Sequence, residues 1–177
     1  MEIIIIGVLL VGVMVYVSTR IKRTAAKAFV SEVVEKEDFR LEKPAGFLYP
    51  LNTESGFAYE AYSKTYGERG TRNIWRARTR MRVTEGLNIR KLVNEIRSGN
   101  ETAFSEKVLE DLPEGQIGSI VRTELEDDGV EYKILRKIVG NKATSKTYEL
   151  KTTILCPYED EYTEDICEMM RSFELRD

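Results

Sequence analysis

The feature that most constrains this chain is an uncharged apolar run near its N-terminus, Ile3 to Val17, which Arg20, Lys22 and Arg23 follow almost at once. These 15 residues would span about 22 Å as a helix, and the two uncharged residues after them lengthen the run toward the roughly 30 Å of a hydrocarbon core. The run therefore predicts either a short membrane-spanning helix or the core of a signal peptide.

The flanks of the run distinguish these two alternatives. A signal peptide carries positive charge before its core and a small-x-small cleavage site after it. Here Glu2 precedes the core, and the candidate site Ala26-Lys27-Ala28 lies beyond the basic cluster. Because positive flanks stay on the cytoplasmic side, we expect a retained single-pass anchor in the inner or plasma membrane. Residues 1–27 are the predicted anchor and stop-transfer segment, and residues 28–177 the predicted cytoplasmic domain.

Composition excludes several kinds of chemistry. The 177 residues are enough for one domain and include no histidine, which removes Ser-His-Asp and Cys-His catalysis and histidine metal sites. Cys156 and Cys167 have neither redox nor zinc-finger spacing, so we expect free thiols. Neither a cofactor nor a metal is predicted. The acidic group at Glu159-Asp160-Glu161 fits the start of a helix better than a metal site, since neighbouring helical positions point apart.

Charge is unevenly distributed along the chain. Residues 24–100 carry 14 basic and 10 acidic residues, a balance of +4, whereas residues 101–177 carry 10 and 19, a balance of −9. The simplest arrangement within one domain is that the basic residues of the first half pair with the acidic residues of the second. The overall charge of −3 argues against a nucleic-acid partner.

Alternating apolar and polar positions predict a series of strands separated by turn residues. Asp127-Asp128-Gly129 is a hairpin signal between the two strongest of them. Hairpins that follow one another predict an antiparallel sheet. The predicted strands are Phe29–Val34, Asp38–Glu42, Phe57–Tyr62, Ile74–Thr84, Ile117–Glu126, Val130–Val139 and Lys146–Cys156.

Three stretches have the helical period instead. Asn88–Ser98 places its apolar residues on one stripe, and Gly99 is positioned to end it. A weaker helix is predicted from Thr102 to Leu112. The C-terminal stripe of Tyr162, Ile166, Met169 and Phe173 predicts a closing helix. Helices covering an antiparallel sheet make the expected fold class α+β.

The order of these elements resembles the PsbP-like fold, which is named for an extrinsic photosystem II protein and includes a Ran-GTPase-binding nuclear import factor. Phe39 to Phe47 is similar to the family's opening strand and Asp128 to Tyr132 to its central hairpin. Tyr148 to Pro157 and the Arg171-Ser172-Phe173 ending are similar to its last strand and helix. The resemblance covers about residues 28–175. It implies an α/β/α sandwich around an antiparallel sheet, used for docking to protein partners, without a shared active site.

The most distinctive local pattern lies between Trp75 and Val83. On a strand, alternate side chains point to opposite faces, so Trp75 and every second residue after it are expected to face inward. The other face then carries four arginines spaced at about 6.6 Å, which we call the arginine ladder. Its members are Arg76, Arg78, Arg80 and Arg82.

Two interpretations of the arginine ladder follow from its charge. Four guanidinium groups in line repel each other unless anions lie between them. Cross-strand pairing with acidic residues would satisfy them internally, and the acidic second half of the chain favours this interpretation. The alternative is docking of an acidic partner or of phosphate-bearing lipid headgroups, with Tyr66 as an accessory aromatic residue. The candidate internal partners are Glu60, Glu124, Glu126, Glu131 and Glu149.

The function that these patterns favour is a membrane-anchored, non-catalytic domain that holds an unidentified protein partner near the bilayer. The first alternative is an enzyme that uses arginines and carboxylates on an anionic substrate. The second is recognition of an anionic lipid surface through the arginine ladder. A pocket where arginines meet unpaired carboxylates would favour the enzyme, and a flat, fully paired face would argue against both alternatives.

Overall fold

The computed structural model describes residues 10–22, 29–51, 56–65 and 74–176. These ranges form nine strands, three α-helices and one turn of 3₁₀-helix. The strands are β1 Glu32–Glu35, β2 Phe39–Lys43, β3 Tyr59–Tyr62, β4 Ala77–Glu85, β5 Thr102–Val108, β6 Gln116–Asp127, β7 Val130–Asn141, β8 Lys146–Leu155 and β9 Glu174–Leu175. The helices are α1 at residues 10–22, α2 Ile89–Arg97 and α3 Glu159–Ser172, with the 3₁₀ turn at Cys156–Tyr158.

Six strands form one large antiparallel sheet in the order β3-β4-β8-β7-β6-β5. The hairpin between β6 and β7 turns at Asp128 and Gly129, whose φ angles are +50° and +71°. These left-handed angles are those of a two-residue hairpin turn, which is why the Asp-Gly signal predicted it correctly. The antiparallel α+β class expected from the sequence is therefore confirmed.

A second sheet of three strands, in the order β1-β2-β9, lies apart from the large one. Helix α3 packs against both β2 and β8 and so joins the two sheets. Its buried residues Tyr162, Ile166 and Met169 lie in the main core with Leu41 of β2 and Leu150 of β8. The sequence predicted one sheet because β9 has only two residues and its pairing with Phe39 and Arg40 is formed across the whole chain.

Helix α2 covers the opposite face of the large sheet at β6 and β7. Ile89 and Val93 pack there on Val121 and Ile138 in a second, smaller apolar cluster. Because neighbouring residues on a strand face opposite ways, Ile138 belongs to this cluster while Val139 belongs to the main core. The large sheet is thus covered by helices on both faces, as the resemblance implied.

The predicted helix from Thr102 to Leu112 is wrong, because Thr102–Val108 forms the edge strand β5. It pairs with β6, and a bulge with φ +50° at Ala103 interrupts the register. Pairing with the open edge of β6 satisfies backbone groups of this stretch, a tertiary effect that overrides weak local periodicity. Every predicted strand and the other two predicted helices overlap observed elements, with ends displaced by a few residues.

The predicted anchor Ile3–Val17 lies only partly within the described residues, which begin at Leu10. No helix of the described ranges is both long and apolar enough to cross a membrane. The boundary predicted between residues 27 and 28 falls outside these ranges as well.

Candidate functional site

The arginine ladder lies on the α2 side of the large sheet. Ala77, Thr79 and Met81 of β4 are fully buried in the core, as the alternation predicts. Arg78, Arg80 and Arg82 point to the opposite face, which α2 covers only at β6 and β7. The alternation of side chains along β4 therefore places the buried residues on one face and these arginines on the other.

Arg76 lies away from the other three arginines. Its guanidinium stacks on the Tyr158 ring at 4.2 Å, and its Nη1 lies 3.4 Å from Oε2 of Glu161 on α3. Arg76 precedes β4, so the strand parity does not hold its side chain on the face that the other arginines share. The ladder consequently contributes three arginines, rather than the predicted four, to one surface.

Arg78 and Arg80 share a single carboxylate. Both donate to Oε1 of Glu60 on the neighbouring strand β3, Arg80 through Nε at 3.2 Å and Arg78 through Nε at 2.8 Å and Nη2. The register explains the arrangement, since Glu60 lies directly opposite Arg80. Only 4% of the Glu60 side chain is exposed, so this carboxylate lies beneath the arginines that it binds.

Aromatic rings flank the same arginines. The Arg78 guanidinium lies 4.4 Å from the centroid of the Trp75 ring. Those of Arg80 and Arg82 lie 4.9 Å and 5.9 Å from that of Phe57. Such stacking holds an arginine in place while leaving its N–H donors available to another group.

Two further cations, which the sequence pattern does not predict to lie here, extend this face. Lys151 of β8 lies directly opposite Arg80, and Arg136 of β7 lies directly opposite Lys151. Three cations therefore occupy one line across three strands. Alternation along β8 indicates that Lys151 faces away from the core residue Leu150, but only the strand order, which is a tertiary property, places it beside Arg80.

Arg136 is the centre of a buried network. Its Nη1 donates to Glu101 at 2.7 Å and to Thr123 at 3.0 Å, and its Nε donates to Glu149 at 3.1 Å. Burial tends to raise the pKa of the Glu101 carboxyl, but the hydrogen bonds from Arg136 and Thr123 outweigh it and hold that pKa below its usual value. Glu149, which lies opposite Arg82 in register, is thus engaged by Arg136.

The charge of Lys151 is compensated less well than that of Arg136. Burial lowers its pKa first, and the neighbouring Arg136 charge lowers it further, while Glu101 and Glu149 raise it only in part. Its Nζ lies 3.9 Å from Oε1 of Glu101, a distance too long for a strong hydrogen bond. The neighbouring carboxylates therefore neutralise Lys151 less completely than they neutralise Arg136.

Two small concavities open on this face and share Arg80 and Lys151. We call the surface formed by Arg78, Arg80, Arg82 and Lys151 the cationic face. One concavity, of about 190 Å³, is lined by Phe57, Arg80, Arg82, Glu149 and Lys151. The other, of about 210 Å³, is lined by Ile74, Trp75, Arg78, Arg80, Tyr132, Lys151 and Thr153.

Of the remaining residues predicted for the site, Tyr66 falls outside the described residues. Glu124 pairs with Lys133 rather than with an arginine, and Glu126 lies opposite Glu131 at the end of the β6–β7 hairpin. Among the described residues, no group of three or more acidic residues and cysteines has the geometry to hold a metal. Cys156 and Cys167 are free thiols.

Comparisons with known proteins give likeness in structure alone. No family model matches the chain. No curated protein matches it in sequence. The solution structure of cyanobacterial PsbP (CyanoP) from Synechocystis sp. PCC 6803 superposes with a TM-score of 0.55 at 11% identity, covering 82% of this chain and 92% of that one.

The crystal structure of the Ran-binding protein Mog1p from Saccharomyces cerevisiae matches with a TM-score of 0.52 at 12% identity, over 84% of this chain and 97% of Mog1p. A crystal structure from Bacteroides thetaiotaomicron VPI-5482 matches with a TM-score of 0.50 at 13% identity. The match covers 78% of this chain but only 45% of the Bacteroides protein, which is therefore much longer. The structural likeness to PsbP and Mog1p shows that this chain has the PsbP-like fold.

Proposed function

We propose that this protein is a membrane-anchored, non-catalytic protein-binding domain that holds a partner next to the bilayer, with its folded domain in the cytoplasm. The observation that carries the proposal is the surface of helix α1. From Leu10 to Val17 this helix carries no charge, and its large apolar side chains are between 45% and 68% exposed. A helix that is apolar on every side requires an apolar environment to cover it.

The charges that follow this surface support the orientation. Arg20 and Lys22 lie at the end of α1, and Arg23 follows them. Basic residues within this distance of an apolar helix remain on the cytoplasmic side. The whole run Ile3–Val17, with its short extension, has the length that a marginal membrane span requires.

Protein binding is supported by the fold and by the hydrogen bonds that engage the carboxylates of Glu60 and Glu149 beside the cationic face. Mog1p, which has a similar fold, is a Ran-binding protein. On the cationic face, Glu60 and Glu149 both accept hydrogen bonds from arginines, so neither is free to act as a general base. A docking role needs no free carboxylate, whereas the alternative, an enzyme that uses arginines and carboxylates on an anionic substrate, does.

The anchor is tested by charging the exposed surface of α1. The full-length Val11→Lys/Val15→Lys variant is compared with Val11→Leu/Val15→Leu, since each lysine at the centre of a span costs roughly 3 kcal/mol. We expect the wild type and the leucine variant to remain in the membrane pellet after alkaline carbonate extraction and the lysine variant to be released. Equal recovery of all three proteins in the supernatant would refute the anchor.

Orientation and partner binding need separate measurements. The domain should resist protease added outside intact cells and become sensitive after permeabilisation; digestion in intact cells would refute the cytoplasmic orientation. Cross-linking in native membranes should join the wild type and the leucine variant to the same partner. A partner captured equally by the released lysine variant would show that holding it at the bilayer is not the role of this protein.

A further inference from the structure

The cationic face presents positive charge to solvent although several carboxylates lie within it. The side chains of Arg80 and Lys151 are 35% and 38% exposed, whereas that of Glu60 is 4% exposed. The carboxylates of Glu101 and Glu149 are likewise recessed and lie against Arg136. A molecule that approaches this surface therefore meets guanidinium and ammonium groups before it meets any carboxylate.

Within the cationic face, Arg82 has the most hydrogen-bonding capacity left for a ligand. It is exposed and lies on the Phe57 ring, and no carboxylate of the described residues forms an ion pair with it. Glu149, its partner in register, is hydrogen-bonded to Arg136. The five N–H donors of this guanidinium match the two oxygens of a carboxylate.

The spacing of the arginines that line the two concavities indicates the shape of the ligand. Arg78 and Arg80 line one concavity and Arg80 and Arg82 the other, and these arginines follow one another at the two-residue step of β4, about 6.6 Å. Each concavity is smaller than a typical small-molecule site of roughly 300–1,000 Å³ and fits one side chain. An extended peptide repeats its side chains on one face at the same two-residue step.

We propose that the cationic face binds an extended acidic segment of a protein partner, with glutamate or aspartate at alternate positions, one carboxylate in each concavity. The inference rests on the proposed function in taking the ligand to be a protein. Arg80 and Lys151 contact both carboxylates, and Arg82 and Arg78 each complete one concavity. A flat bilayer surface fits this site less well, because Arg80 and Lys151 are about two-thirds covered and lie in concave, aromatic-walled sites.

The test uses full-length protein in neutral detergent and a fluorescent peptide of sequence Glu-Thr-Glu-Thr-Glu, followed by anisotropy. The comparison peptide has glutamine at the same positions. The informative variants are Arg82→Gln and Lys151→Gln, and the matched control is Arg90→Gln, which alters an exposed arginine on α2. Thermal melting confirms that each variant is folded before binding is measured.

We expect the acidic peptide to bind the wild type and Arg90→Gln equally, and Arg82→Gln and Lys151→Gln to bind it roughly tenfold more weakly. Added salt should weaken binding to the wild type. Equal binding of the glutamine peptide, or unchanged binding to the folded Arg82→Gln variant, would overturn the proposal. So would Arg82-dependent binding of glycerol phosphate without binding of the peptide, which would indicate a lipid headgroup. Because the peptide assay is done in detergent, a negative result does not bear on the membrane anchor. A negative result in the carbonate extraction, in turn, does not bear on peptide binding.

Discussion

Arg80 and Lys151 lie directly opposite each other on β4 and β8, so two cations occupy the same step of the sheet. Like charges in directly opposed positions destabilise a sheet unless anions separate them. Here Glu60 lies on the far side of Arg80, and Glu101 lies 3.9 Å from Lys151. The carboxylates of Glu60 and Glu101 thus offset the charges of Arg80 and Lys151 from the outer sides of the pair, but not from between the two side chains.

Replacement of Lys151 with methionine should raise stability. Burial and the Arg136 charge both disfavour the ammonium form, and methionine keeps most of the side-chain volume without the charge. We expect a higher urea midpoint for Lys151→Met than for the wild type, and no change for Lys142→Met at an exposed position on the loop after β7. A lower midpoint for Lys151→Met would show that its ion pair with Glu101 outweighs the repulsion.

Replacement of Arg136 should have the opposite effect. Arg136→Met leaves Glu101 and Glu149 without their principal partner in a buried setting, which typically costs about 3–5 kcal/mol in the free energy of unfolding. The matched control is Lys133→Met, which breaks a half-exposed pair with Glu159 and should lower the free energy of unfolding far less than Arg136→Met does. Chemical denaturation measures both values. If both variants lost the same free energy of unfolding, burial of the Arg136 network would add nothing to its contribution to stability.

The local parts of this fold follow from sequence because they depend on neighbouring residues. The Asp128-Gly129 turn, the apolar stripe of α3 and the separation of Met81 from Arg80 on β4 all result from rules that act over a few positions. The Thr102–Val108 strand does not, since its pairing partner β6 begins eight residues after it ends. A weak helical pattern there is overridden by an open strand edge.

The candidate site shows the same division. The sequence pattern placed Arg78, Arg80 and Arg82 on one face, and Glu60 was among the expected partners. Lys151 and Arg136 join that face only because β8 and β7 follow β4 in the sheet, an order that no local pattern encodes. Arg76 departs from its predicted position because β4 begins at Ala77, so the two-residue period of the strand does not extend to Arg76.

Lys137 provides a test of the end of α3. Its buried Nζ donates to the carbonyl oxygens of Met170 and Phe173, both at 2.8 Å, and so binds groups that the helix leaves unpaired at its C-terminus. Lys137→Met should lower the free energy of unfolding by roughly 1.5–3 kcal/mol and speed amide exchange in the last turn of α3. Lys142→Met serves again as the exposed control. Unchanged stability together with unchanged exchange would show that these hydrogen bonds are dispensable.

Alkaline pH should destabilise the protein partly through Tyr49. Burial, and then the Glu32 carboxylate that accepts a hydrogen bond from its hydroxyl at 3.3 Å, raise the pKa of Tyr49 to about 12. Because the pKa of Tyr49 is higher in the folded state, its protonated hydroxyl stabilises the folded protein at pH values below the usual pKa of 10.0. Above pH 10.0 the unfolded chain releases this proton first, so the contribution to stability is lost as the pH rises toward about 12. Urea midpoints measured across this interval should therefore fall less steeply for Tyr49→Phe than for the wild type. Tyr158→Phe is the comparison for loss of a hydroxyl elsewhere, and parallel curves for Tyr49→Phe and the wild type would contradict the assignment.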